Sequence, residues 1–185
     1  MSMQAQLLGY FAEEKLESLG FVIAGVVALA VSVWLWRTGS SYRAMAFPLV
    51  AVALLHLVVG GSVYLRTDGQ VAALTAQLAQ APSAFQAAEL ARMDVVMRNF
   101  ALYKLIELAL LAAGIALTYA FRHREALYAV GIGLVIQAGV TLVADLFAEK
   151  RGDTYLAAVR TLSSSAAVSA PASAALPPPG LESTR

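Results

Sequence analysis

Six side chains in this sequence could do chemistry: His56, Lys104, Glu107, Gln137, Thr141 and Asp145. All six lie in stretches otherwise built from aliphatic residues. An ionisable side chain at the centre of a bilayer costs at least ~2.5–3.5 kcal/mol, so such residues by default mark a substrate or proton path. Gln137, Thr141 and Asp145 are spaced i, i+4, i+8, which puts them on one face of one helix. Tyr103, Glu107, Gly114 and Thr118 make a second stripe of the same kind. If these stripes and His56 face each other, they form a polar seam with His56 and Gln137 at its base. Lys104, Asp145 and Arg66 would stand at its mouth.

Each of these residues has a plainer reading. Glu107 suits a proton carrier or substrate ligand. It suits equally a structural carboxylate, paired with Lys104 or hydrogen-bonded to His56 or Tyr103. His56 suits a proton relay or a metal or haem ligand, but an interhelical hydrogen bond explains it more simply. The other histidine, His123, falls far from His56 in depth, which argues against bis-histidine haem. A metal site from His56, Glu107 and Asp145 matches no recognised ligand spacing. Gln137 and Thr141 read as interhelical hydrogen-bond formers, at ~0.6 kcal/mol per bond. Asp145 and Lys104 lie near the ends of their apolar stretches, where a side chain reaches water. No residue earns a catalytic role, and no cofactor or metal is expected.

The elements that carry these residues are four apolar runs, 19–36, 47–65, 100–121 and 126–147. Each is close to the ~20 residues a helix needs to cross a bilayer. The chain has 185 residues, 59% hydrophobic and 14% charged. A typical soluble domain is ~45–50% apolar and ~25% charged, so the composition points to an all-α integral membrane protein, a four-helix transmembrane bundle. The net charge of +1 and the scattered basic residues argue against nucleic acid. With no cysteine, disulfides, thiolate metal sites and cysteine nucleophiles are excluded together. No phosphate-binding glycine loop, HExxH or GxSxG motif is present.

The remaining segments are read as helical extensions and a tail. Residues 1–18 are acidic before the first run, unlike a cleavable signal, and suit a short amphipathic helix with Leu7, Leu8, Phe11 and Leu16 along the membrane interface. Trp34, Trp36 and Arg37 form an aromatic and basic end to the first run. Pro48 sits in the first turn of the second. Residues 67–99 are helical in propensity, broken at Pro82, with Ser83 and Gln86 as a capping box for a helix that runs on into the third span. Glu89 with Arg92, and Asp94 with Arg98, support that helix as i,i+3 and i,i+4 pairs. The four-helix domain covers 19–162, with 67–99 and 146–162 forming a small cap over the seam. Residues 163–185 are Ser/Ala/Pro-rich and read as a disordered tail. Gly60, Gly61, Gly131 and Gly133 mark close helix packing.

The short links carry Arg37, Arg43, Arg122 and Arg124, which by the positive-inside rule places both links in the cytoplasm and both termini outside. Compactness and an Ala/Leu/Val-rich composition fit a bacterial inner membrane. Three functions are compatible with this sequence. The first is a non-enzymatic subunit or scaffold of a membrane assembly. The second is an oligomeric proton-coupled transporter using Glu107 and His56. The third is a membrane-embedded enzyme on a lipid substrate with those two as acid and base. The lipid bilayer is the one partner common to all three; a second copy or another membrane protein completes the first two.

Overall fold

The computed structural model describes residues 2–168, with side chains described through Leu162. The described residues form four long helices and no strand: α1 (Met3–Arg37), α2 (Ala46–Gln80), α3 (Pro82–Ala120) and α4 (Glu125–Val168), with a single 3-10 turn at Arg43–Met45. All four helices are long and apolar enough to cross a membrane. The remainder of the expected tail, residues 169–185, lies outside the described residues.

Local chemistry accounts for the helix ends. The Ser2 hydroxyl caps α1 by accepting from the Ala5 N–H at 3.3 Å. After Arg37 the chain reverses through Gly39, whose φ of 64° is open to glycine at no steric cost. Between α2 and α3 only Ala81 leaves the helical region, at φ −145° and ψ 73°. A proline ring pushes the preceding residue out of the α region, and Pro82 then starts α3 where its missing N–H costs nothing. The expected capping box does not form, because Ser83 already lies inside the helix. Gln86 instead reaches across to α4, where its side-chain amide donates to the Val159 carbonyl at 2.8 Å.

Residues 1–18 also differ from expectation. They are not a separate interfacial helix but the first turns of a continuous α1. Leu7 and Phe11 have no exposed surface, while Leu8 and Leu16 face outward. The reason is that Leu7, Tyr10 and Phe11 find apolar partners on three other helices. They pack with Phe85 and Met93 of α3 and with Tyr155, Leu156 and Val159 of α4, and Val71, Leu74 and Leu78 of α2 close the cluster. The molecule thus has two halves along the same four helices: a cap with a conventional apolar core, and an apolar half with the opposite distribution. In the apolar half Ile23, Val26, Leu54, Val58, Leu105 and Ile115 all face outward. Exposed aliphatic surface of this extent is what a lipid environment solvates and water does not.

In the apolar half the helices form two close antiparallel pairs, α1 with α2 and α3 with α4. Glycines set the approach. A Cβ on Gly25 would stand 2.9 Å from the Ala53 carbonyl oxygen, and one on Gly60 would stand 2.7 Å from that of Ser18. Gly114 and Gly131 face one another between α3 and α4, where a Cβ on either would be 2.9 Å from the other's carbonyl oxygen. Gly133 admits Pro48 and Met45, which joins α4 to the start of α2. Gly61, by contrast, faces open space and packs against nothing. Without a hydrophobic drive between helices in lipid, such backbone approach is a main source of attraction.

Gly131→Val is therefore expected to lower the thermal unfolding temperature in detergent, by overpacking worth about 1–3 kcal/mol. Gly139→Ala, on the same helix but with nothing within 4 Å, is expected to leave it unchanged or raise it slightly.

Candidate functional site

The polar residues singled out in the sequence divide into separate neighbourhoods. His56 is 4% exposed and lies between α2 and α1, its ring centroid 5.0 Å from that of Phe21. Neither ring nitrogen has a hydrogen-bond partner. Glu107 is buried between α3 and α4, where its carboxyl faces that of Asp145. Its Oε2 is buried without a partner. Lys104, one turn away, does not pair with Glu107; its ammonium goes to Glu149 of α4. The Thr141 hydroxyl donates to the Gln137 carbonyl of its own helix at 2.7 Å, and so is satisfied within α4 rather than between helices. Gln137 is buried, with its side-chain nitrogen unpartnered.

The second stripe is only partly inward. Glu107 and Gly114 are buried, Thr118 is half-buried and Tyr103 is exposed. The structure thus brings Glu107 and Asp145 together, and Lys104 with Glu149 beside them. It does not join His56 to any of these by a hydrogen bond or ion pair. The two best-formed hollows among the described residues lie elsewhere, in the cap. One, of about 360 Å³, runs between α1 and α2 past Leu8, Phe11, Lys15 and Asp68. The other, of about 290 Å³, lies between α1 and α4 over Tyr10, Arg151 and Tyr155. No group of three or more His, Asp or Glu side chains among the described residues is placed to hold a metal ion.

The strongest polar arrangement is one the sequence reading passed over. Glu89, expected as half of an i,i+3 pair with Arg92, is 1% exposed in the cap. Its Oε1 accepts the Tyr155 hydroxyl at 2.8 Å, and Arg92 grips both oxygens, at 2.9 Å through Nε and 2.6 Å through Nη2. Tyr155 stacks on Tyr10, with centroids 4.4 Å apart. The Arg92 guanidinium lies 5.3 Å from the Phe11 ring centroid and 5.8 Å from that of Tyr10. Arg151 of α4 pairs with Glu17 of α1 and also lies over Tyr10. Half-buried Glu14 stands within the fields of Arg66, Arg92 and Arg151, one arginine from each of the other helices. Three glutamates and three arginines, Glu14, Glu17 and Glu89 against Arg66, Arg92 and Arg151, thus gather in the cap and at its base. A readable signal existed: Phe85, Glu89 and Met93 are spaced i, i+4, i+8, so a carboxylate stands in the middle of an apolar stripe.

The electrostatics follow from burial. Burial opposes the Arg92 charge, but the hydrogen bond to Glu89 and its negative charge outweigh this and hold the guanidinium firmly ionised. Burial and then the Glu89 charge push the Tyr155 phenol well above its usual range, so it remains a donor. Burial also raises Glu14 above the ordinary carboxylate value, against the pull of the three arginines. Comparison of the chain with family models, curated proteins and solved structures finds no match.

Two outcomes are expected. Tyr155→Phe removes a donor from a buried carboxylate and should lower stability by about 1–3 kcal/mol, measured by thermal unfolding in detergent. Glu14 has a folded value above its unfolded one, so its stabilising contribution is full below the ordinary carboxylate range and is lost as pH rises through the raised value. Glu14→Gln should match the wild type near about pH 4 and exceed it in stability near about pH 8, as unfolding measured across that range would show.

Proposed function

We propose that this chain is a non-enzymatic, multi-pass membrane protein, a subunit or scaffold that holds an extramembrane helical cap rigidly on four spans. The observation that carries this reading is the use made of the charged side chains in the cap. Arg151 and Glu17 tie α4 to α1, and Glu89, paired with Arg92 on its own helix, takes the Tyr155 hydroxyl of α4, while the two hollows in the cap include none of His56, Glu107, Gln137 or Asp145. On this reading the exposed cap faces, such as Ala72, Ala76, Ala88 and Ala91, are what a partner meets. The basic links lie in the cytoplasm and the cap outside it, in keeping with the positive-inside rule. A bacterial inner membrane suits the composition.

A second reading, an oligomeric proton-coupled carrier, is favoured by one feature. The facing carboxyls of Glu107 and Asp145 carry no ion pair, since the neighbouring Lys104 is taken by Glu149. The third, an enzyme on lipid, needs His56 and Glu107 to act on one substrate, and no contact joins them.

Two measurements decide between the first two. In proteoliposomes under a pH gradient, a scaffold gives no proton flux above empty vesicles, and Glu107→Gln behaves as the wild type. Flux that Glu107→Gln abolishes would establish the carrier. In mild detergent, a scaffold migrates as a larger assembly, which Ala76→Glu or Ala88→Glu reduces to the single chain without lowering its unfolding temperature.

A further inference from the structure

We propose that α3 pairs with α3 of a second copy of this chain, in a parallel coiled coil that runs from the cap into the apolar half. The proposal rests on the scaffold reading for the use of exposed cap faces, and it names what covers one of them.

The first observation is a repeat. On the exposed side of α3, Ala84, Ala88, Ala91 and Val95 follow one another in steps of four and three. After Arg98 the same alternation continues through Leu102, Leu105, Ala109, Ala112 and Ala116. Every one of these positions is exposed. A step that averages 3.5 residues keeps one seam facing a partner helix when the two wind around each other left-handedly.

The second is where the small residues lie. Of the four helices α3 buries the smallest share of its apolar stretch, 6% against 28% for each of the others. Lipid alone sets no preferred side for alanine. Yet the five alanines between Lys104 and Phe121 are all exposed, and at 3.6 residues per turn they fall within about 100° of one another. The bulkier Leu110 and Ile115 lie on either side of that arc. Helices associate in lipid where small side chains let backbones approach. This fold already uses that device where Gly114 meets Gly131.

Three features name the occupant. The seam crosses the junction between the cap and the apolar half, so a partner must change character at the same height. A second copy in the same membrane does so without adjustment. The charge on this side is also self-complementary. Asp94 and Arg98 are the only exposed charged residues of α3, one turn apart and paired at 3.1 Å. Across a twofold axis along the helices, Arg98 of each copy comes beside Asp94 of the other. A single charged residue in such a seam fixes register at some cost in stability. Finally, the length suffices. At about 1.5 Å per residue the seam from Ala84 to Ala116 is about 50 Å long, on a helix about 10 Å wide. Two copies aligned on it bury about 1,000 Å² in total, which reaches the size of a specific interface.

The chain has no cysteine, so single cysteines report this contact by disulfide cross-linking in native membranes. Ala91→Cys, Ala109→Cys and Ala116→Cys should each give a covalent dimer on mild oxidation. Tyr103→Cys and Leu110→Cys, exposed but off the seam, should not. Ala112→Leu should abolish the dimer at Ala91→Cys and leave the unfolding temperature in a dissociating detergent unchanged. Arg98→Glu should abolish it too, and adding Asp94→Arg should restore it. Cross-linking that is equal at Tyr103→Cys and Ala109→Cys, or absent from the seam, overturns the proposal. Where it is absent, assembly size in mild detergent separates the two readings. A large assembly leaves the scaffold standing with a different partner or a different face, and a single chain removes both.

Discussion

Charge where four helices pass from an outward-facing apolar half into a packed cap is the constraint on which this structure turns. A carboxylate or guanidinium taken from water without a partner costs several kcal/mol. The helices here continue through that junction without a break, so their charged residues cannot be looped out into solvent. They are satisfied across helices instead. Glu17 reaches Arg151, Lys104 reaches Glu149, and Lys15 reaches Asp68. Deeper in the cap, Glu89 is satisfied by Arg92 and Tyr155 together. These links join α1 to α2, α1 to α4 and α3 to α4. Replacing a buried ion pair with apolar residues often costs nothing, so the contribution of such a layer lies in register as much as in stability. It admits one alignment of four long rods that could otherwise slide.

Below that layer, shape replaces charge. Gly25 and Gly60 bring α1 against α2, and Gly114 and Gly131 bring α3 against α4. The helix α4 touches all three others, whereas α3 packs chiefly on α4 and buries the least of its apolar length. The polar residues of the apolar half are consequently scattered among different contacts. His56 belongs to the α1–α2 pair, while Glu107 and Asp145 belong to the α3–α4 pair. Their separation follows from the pairing and not from their depth in sequence.

The candidate site was legible in part. Burial of Glu107, Gln137 and His56 follows from their place in aliphatic runs, and the structure does bury all three. The partners were not legible. Lys104 is three residues from Glu107 and looks like its counter-ion, yet the antiparallel α4 brings Glu149 nearer. Thr141 looked able to bond across helices, but the carbonyl one turn back on its own helix is always within reach of a threonine hydroxyl. The expected pair of Glu89 with Arg92 does form, but its burial was not legible. An i, i+3 pair with arginine is usual on a solvated face, and only the arrival of Tyr10 and Tyr155 turns that face into a core.

By itself the sequence determined the four long apolar helices, the interruption at Pro82 and the apolar surface they present. Each of these rests on residues close in the chain: proline geometry, apolar length and glycine in a turn. The tertiary structure decided what lies opposite what. It turned the first eighteen residues from an interfacial helix into a quarter of the cap core, sent Gln86 to α4 instead of to its own helix end, and set His56 apart from Glu107. Those outcomes depend on the register and rotation of helices distant in the chain. Periodicity along one helix shows which residues share a face, but only packing shows which face it meets.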